Sequence, residues 1–553
     1  MLTNLSKSGA CNNYNELKKK CTFAKNDKNY TKLTHTLTST KIQQMHKLSL
    51  AQLEAYSLEY KSYEIEESLK DEIDRSFSFL KQFSSNRIIY GINTGFGPMA
   101  QFKIEANNLA QLQYNLIRSH SSGAGKPFGE EYVRAILVAR INNFLQANSG
   151  VSFGVIEKLT QFLNNRISPE IFEHGGVGAS GDLVQLAHLA LNLIGEGHVS
   201  VDGKRVPAAE ALTQFSLQPL ELKLRDGLAI MNGTSCMTGI GAINLIYAYR
   251  LLNWSVAASS IINEIVEAFD DSFSEGLNQV KYHPGQKKIA QQMRNFLEDS
   301  TLIRKREELF EDDSEMERRE FSVKIQEYYS IRCVPQILGP VLETLDVAKN
   351  IIENELNSTN DNPIVSVEAQ NVFHGGNFHG DYISLEMDKL KMVVTKLTML
   401  AERQLNFLLN SKLNDKFPAF LNAKVLGFNF GLQGMQFTAT STTAESQMLS
   451  NPMYVHSIPN NNDNQDIVSM GTNSATIAAK VVENGFQVMA IHMVAVCQAI
   501  DLLDPSQREK LSSKTREVYN LIRSEMDFIE NDIPQQENIQ KIITLLRKNN
   551  FSL

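Results

Sequence analysis

His174-Gly175-Gly176-Val177-Gly178-Ala179-Ser180-Gly181-Asp182-Leu183 is the stretch on which the fold turns. Gly176, Gly178 and Gly181 satisfy the spacing G-x-G-x-x-G, and Glu196 stands 20 residues beyond Gly176. On paper that is the dinucleotide fingerprint of a doubly wound α/β sheet. The fingerprint needs a strand before the loop and βαβ alternation around it. Here Ile167-Ser-Pro169-Glu-Ile-Phe172 precedes it, with a proline and no clear strand pattern, so no nucleotide site is expected. A nucleophile elbow, G-x-S-x-G, fails as well, because Asp182 stands where its second glycine belongs. What remains is a glycine-rich loop feeding a helix from Asp182 to about Ile194.

Outward from that loop the chain reads as helix in both directions. Residues 46 to about 90 carry a helical pattern that ends in a loop at Asn86, and 104–122 and 130–165 read as further helices. Between them, Tyr90-Gly-Ile-Asn-Thr-Gly-Phe-Gly97-Pro98 puts three glycines and a proline into nine residues, which demands special backbone angles. The short Val/Gly alternation of 195–210 reads as a small hairpin. Residues 336–356, 382–410 and 472–503 repeat apolar side chains at three- and four-residue spacing. At 1.5 Å per residue the last two are rods of roughly 40–50 Å, and such rods pack as bundles. The expected fold is all-α: a long central helical bundle with an N-terminal helical and loop domain. The expected divisions are a disordered extension over 1–45, rich in Asn, Lys, Thr and Ser, then 46–225 as the domain bearing the glycine-rich loop, 226–510 as the bundle and 511–553 as a helical tail. The amphipathic pattern begins only at Leu48, which makes Met45 an alternative start. The charge run Arg304–Glu320 reads as a solvated segment.

Composition narrows the function. Apolar residues make up 42% of the 553, enough for a large core, and the net charge of −8 argues against the basic face that nucleic acid requires. No apolar run reaches the roughly 18 residues of a membrane span, and the N-terminal lysines lack an apolar h-region, so neither a membrane partner nor secretion is expected. Cys11, Cys21, Cys236, Cys333 and Cys497 are odd in number and form no C-x-x-C, which fits a reducing, cytoplasmic setting. His374-Gly-Gly-Asn377-Phe378-His379 has no carboxylate-rich partner set, so no metal is expected there. Cys333, beside Arg332, has no local partner base and reads as a small core residue.

Ala179-Ser180-Gly181 admits a third reading. Three small residues let the backbone fold sharply, so that the Gly181 amide nitrogen reaches the Ala179 carbonyl carbon. Loss of water from that ring and from Ser180 leaves a 4-methylidene-imidazol-5-one (MIO), with Asp182 placed to assist as general acid/base. Ala-Ser-Gly alone is common; Ala-Ser-Gly-Asp-Leu after a glycine-rich loop is far more specific. Gly175–Leu183 resembles the signature of the aromatic amino acid lyase family, the histidine, phenylalanine and tyrosine ammonia-lyases and related aminomutases. The resemblance runs from about residue 46 to 505. It includes, in order, Tyr90–Gly97, Asn232-Gly-Thr234, Tyr329-Ser-Ile-Arg332, Asn360-Asp-Asn-Pro363, Gly375–His379 and Asn464-Gln465-Asp466.

What the resemblance implies is specific. Tyr90 matches the catalytic base, in a mobile loop, that removes a substrate β-proton. Ala179, Ser180 and Gly181 supply the electrophilic ring, with Asp182 and Tyr329 among the catalytic residues. Arg332 matches the clamp on the substrate carboxylate, which an arginine fork grips with two parallel bonds. Asn232 matches a residue touching cofactor and carboxylate. Tyr329, Phe378, Glu445 and Gln465 match pocket residues, and Gly97 and Asn464 lie in the same substrate-binding motifs. The resemblance also implies a homotetramer whose active sites draw on three subunits, and a bundle over 336–505. A catalytically silent homologue would be expected to lack Ser180 or Tyr90, and this chain has both.

The choice of amino acid is divided. Ser119-His120, in the selectivity position, is the pair usual in histidine lyases. Asn464-Gln465-Asp466-Ile467 lacks their Asn-Gln-Glu-Asp-His and looks like the phenylalanine and tyrosine lyases and the aminomutases. Gly97-Pro-Met-Ala100, the Ser-His pair and the run 460–466 together resemble flavobacterial tyrosine ammonia-lyases. The expected reaction is L-tyrosine to trans-p-coumarate, with L-histidine to urocanate second, and a phenylalanine lyase or 2,3-aminomutase after it.

Overall fold

The computed structural model describes residues 47–310, 317–321 and 324–549. The extension expected over 1–45 and the middle of the charged run, 311–316, lie outside the described residues. The helices that carry the architecture are α1 (Leu109–His120), α2 (Glu130–Leu145), α3 (Leu183–Leu193), α4 (Ser235–Ile265), α5 (Val334–Leu356), α6 (Asp381–Leu409), α7 (Gln433–Leu449), α8 (Gly471–Asp501) and α9 (Gln536–Lys548). The rods expected over 336–356, 382–410 and 472–503 are α5, α6 and α8.

α6 and α8 run against each other along most of their lengths, and α4 packs against α8, α2 and α5. α4, at 31 residues, spans roughly 45 Å. It carries no amphipathic signature because almost every side is buried, and a helix with no wet face has no period to read. Its buried Leu, Ile, Val and Met side chains each contribute about 1.5–3 kcal/mol relative to exposure. Trp254, the single tryptophan, donates its ring N–H to the Leu546 carbonyl (3.1 Å) and ties α9 to α4. Asp388 of α6 accepts from Ser474 of α8 (2.7 Å) and pairs with Lys391 (2.7 Å), both buried.

The strands are few and short, and most of them, including the pairs at 124–127 and at 364–366 with 371–373, were not expected. The segment that read as lacking a strand holds β2 (Ser168–Pro169) and β3 (Phe172–His174), paired antiparallel with β4 (His198–Val201) and β1 (Ala124–Pro127) respectively. β4 and β5 (Lys204–Pro207) are the expected hairpin. Among the described residues every pairing of strands is antiparallel, and none forms a βαβ unit around the loop. Two helical stretches are broken where non-glycine residues take left-handed backbone. Leu50–Ser57 and Glu67–Ser84 are separated around Tyr60 (φ 59°), and α2 ends before Ala147 (φ 57°). Helix period alone does not reveal such breaks.

Candidate active site

β3 ends at His174 and α3 starts at Leu183; the loop between them is bent tightly. Ser180 and Gly181 both take positive φ, 59° and 78°. A Cβ on Gly181 would overlap the Gly233 carbonyl, and one on Gly178 the Ser469 hydroxyl, so both positions require glycine. The Gly233 N–H donates to the Ser180 carbonyl (3.2 Å), and the Asp182 N–H to the Gly233 carbonyl (2.8 Å). Val177 accepts from the Met470 N–H (3.1 Å), and Ala179 packs on Val468 and Met470. Ring closure between the Ala179 carbonyl carbon and the Gly181 nitrogen needs this kind of backbone: sharply folded, free of a side chain at 181, and gripped from outside. The residues present fit a methylidene-imidazolone made from them.

Asp182 is wholly buried beneath the loop. Its Oδ2 accepts the N–H groups of Cys236 and Met237, each at 2.9 Å, and its Oδ1 accepts from the Thr472 hydroxyl. Cys236 and Met237 lie in the first turn of α4, whose N–H groups have no partner within the helix. A carboxylate from elsewhere in the chain thus caps α4. Burial pushes the Asp182 carboxyl up to about 6, against the pull of those donors and of Arg140. It is therefore a group that exchanges a proton near neutral pH, next in sequence to Gly181. Arg140, also buried, donates to the Asn232 carbonyl (2.6 Å), to Ser235 Oγ (3.2 Å) and to Asn360 Oδ1 (3.3 Å), fixing the turn against which Gly181 rests.

Two cavities, of about 290 and 350 Å³, share Tyr90, Gly97, Ser180 and Gln465 as walls. The first also takes in Ser119, His120 and Asn232, and the second Ala179, Phe378 and Asn464. The Tyr90 phenol oxygen accepts the Gly97 N–H (3.0 Å), and the Tyr90 ring meets Phe96 edge-on at 6.3 Å. Asn232 Oδ1 is buried without a hydrogen-bond partner among the described residues. His120 Nδ1 lies 3.0 Å from the Leu116 carbonyl and 3.0 Å from Ser119 Oγ.

Three expected site residues stand apart. Tyr329 is 71% exposed, and Arg332 lines a separate cavity of about 390 Å³ with Phe269 and Glu327. There Arg332 lies over the Tyr329 ring (4.8 Å) and donates to the Glu327 carbonyl (2.9 Å). Glu445, on α7, accepts from Asn484 (2.7 Å) and lines neither of the two cavities around Tyr90. Among the described residues, no group of three or more His, Cys, Asp or Glu side chains is arranged to hold a metal ion. Arg140, Ser469 and Thr472 escaped the sequence reading. Arg140 had a signal, a lone charge inside the apolar run Ala135–Leu145; Ser469 and Thr472 had none.

Residues 48–524 match the aromatic amino acid lyase family. A tyrosine ammonia-lyase of Cupriavidus metallidurans is 38% identical over 484 residues, covering 86% of this chain and 90% of the relative. A histidine ammonia-lyase of Geobacillus thermodenitrificans is 38% identical over 440 residues, covering 80% and 84%. The crystal structure of a tyrosine aminomutase from Streptomyces globisporus superposes with a TM-score of 0.87 at 34% identity, covering 91% of this chain and 96% of that one. The chain belongs to the aromatic amino acid lyase family, as an ammonia-lyase or aminomutase of an aromatic amino acid.

Proposed function

We propose that this chain is a tyrosine ammonia-lyase, converting L-tyrosine to trans-p-coumarate by means of a methylidene-imidazolone formed from Ala179-Ser180-Gly181, and that it works as a cytoplasmic homotetramer. The observation that carries the substrate choice is the hydrogen bonding of His120. The Leu116 carbonyl can only accept, so a neutral His120 ring facing it carries its hydrogen on Nδ1 and offers a lone pair at Nε2. A substrate ring meeting Nε2 must donate. The phenol hydroxyl of tyrosine donates; the phenyl ring of phenylalanine does not, and would leave the acceptor unpaired at a cost of about 1–3 kcal/mol. The imidazole N–H of histidine also donates, which keeps histidine as the second reading. Asn464-Gln465-Asp466-Ile467 favours tyrosine.

When formed, the ring supplies an electrophile for the substrate amine. The chain's own groups then divide the remaining work. Tyr90 takes the β-proton at its phenol oxygen, which the Gly97 N–H holds in place. Asn232 Oδ1 offers an unclaimed acceptor beside Ser180. Arg332, Tyr329 and Glu445 complete the pocket from other copies of the chain, with Arg332 gripping the carboxylate by two parallel bonds. Exposed Tyr382 and Met392 on α6 and Phe437 and Met448 on α7 support burial of these helices against other copies.

The test is a spectral assay at alkaline pH. Tyrosine alone should produce growing p-coumarate absorbance, absent in Ser180→Ala. A higher kcat/KM for histidine, read as urocanate, overturns the substrate choice. Accumulation of β-tyrosine in place of p-coumarate would mean an aminomutase.

A further inference from the structure

We propose that Ser469 and Thr472 are positioning residues for the self-processing of Ala179-Ser180-Gly181; the proposal rests on the cofactor reading above. Both side chains are wholly buried in the segment 468–472 that backs the loop. Val468 and Met470 of that segment pack on Ala179, and the Met470 N–H holds the Val177 carbonyl. The segment is thus in contact with the backbone that must close.

Thr472 acts through Asp182. A carboxylate offers about four lone-pair directions. Two backbone N–H groups claim Oδ2, and the Thr472 hydroxyl claims one side of Oδ1. Among the described residues this leaves one direction, on Oδ1, from which a proton can be held or released. Ser469 has the complementary role. Its hydroxyl fills the space that a Cβ on Gly178 would need, yet it has no hydrogen-bond partner among the described residues. A buried hydroxyl without a partner is costly, and the backbone it packs against, at Gly178, adjoins Ala179, whose oxygen must be held as the ring closes.

The reaction balances without a co-reactant. The Gly181 nitrogen forms a bond to the Ala179 carbonyl carbon, and the carbon–oxygen π pair moves onto oxygen. That oxygen departs as water with the amide hydrogens of Gly181 and Ser180, leaving a carbon–nitrogen double bond. Ser180 Oγ departs as a second water with its own hydrogen and the one on Cα. Asp182 Oδ1 relays protons and is regenerated; the Ser469 hydroxyl steadies the Ala179 oxygen until it leaves.

Intact mass and ultraviolet difference absorbance, followed from early expression, read processing directly. The parent chain should be lighter than its sequence by two waters. Thr472→Val and Ser469→Ala should be processed several-fold more slowly, and Thr472→Ser should restore the rate. Ser469→Ala removes one unpaired oxygen, so it should melt no lower than the parent while processing more slowly, a combination that a merely structural serine would not give. If Ser469→Ala is processed as fast as the parent, the role of Ser469 is refuted, and the same outcome in folded Thr472→Val refutes that of Thr472. A parent chain at its full sequence mass refutes the cofactor reading itself, and this proposal with it.

Discussion

Tyr90, His120, Ser180, Asn232 and Gln465 meet around shared cavities in one chain, whereas Tyr329, Arg332 and Glu445 lie elsewhere in it. The two groups are held in different ways. In the first, the Ser180 loop and the Asn232 turn are pinned from below by buried polar bonds, Asp182 to the start of α4 and Arg140 to the 232–235 turn. The second sits on short or exposed helical segments, with Tyr329 open to solvent. On the proposed reading, the electrophile and base are built within one chain, while the residue proposed to clamp the carboxylate, Arg332, lies in a separate cavity. A clamp set apart in this way has a use only if another copy receives it.

The largest test of this contrast is Ser180→Ala, expected to lower kcat about 10³-fold or more, at least ~4 kcal/mol of barrier, and to remove the near-ultraviolet cofactor band. Next is complementation. Tyr90→Phe and Arg332→Ala should each be nearly inactive, and chains co-expressed with one change each should regain activity, because some sites would then combine an intact Tyr90 with an intact Arg332 from another copy. No recovery in verified mixed oligomers would place both residues in the same chain's site. His120→Leu should cost tyrosine about 10–100-fold in kcat/KM, roughly 1.4–2.7 kcal/mol, and narrow the gap to phenylalanine. An unchanged ratio would remove His120 from substrate recognition.

The smallest effect sharpens the contrast between satisfied and unsatisfied buried groups. Asp182, with three donors, is raised by burial to about 6, whereas His492 of α8, with neither ring nitrogen partnered among the described residues, is pushed by burial down to about 3. Their linkages have opposite signs. The raised Asp182 contributes stability that is full below the ordinary carboxylate range and is lost as pH rises through about 6. The depressed His492 contributes stability that is full above the ordinary histidine value of 6.5 and is lost as pH falls from there toward about 3. His492→Leu should raise stability by about 1 kcal/mol at pH 5.5 and flatten the loss on acidification. Thermal melts at pH 7.5 and 5.5 that fall equally in both proteins would show that His492 does not titrate in this way.

The legible parts of the chain are those with a period or a rigid local chemistry. α5, α6 and α8 each keep a patterned face, so their extents could be read closely. α4 could not, since burial on all sides erases the pattern that the amphipathic helices keep. Ala179-Ser180-Gly181 and its glycines were legible because only small residues permit that backbone. The 20-residue spacing of a nucleotide fingerprint was misleading on its face, and the absence of alternating strands and helices disposed of it.

By itself the sequence determined the helical class, the glycine-dependent loop, the acid that follows it and the motif order that marks the family, because these depend on residue type and local spacing. Only the tertiary structure decided that Asp182 caps α4, that Thr472, 290 positions away, claims one of its oxygens, that His120 lines the same cavity as Tyr90, and that Arg332 stands apart from Tyr90. Each of these depends on which distant groups burial brings together, and no local pattern encodes that.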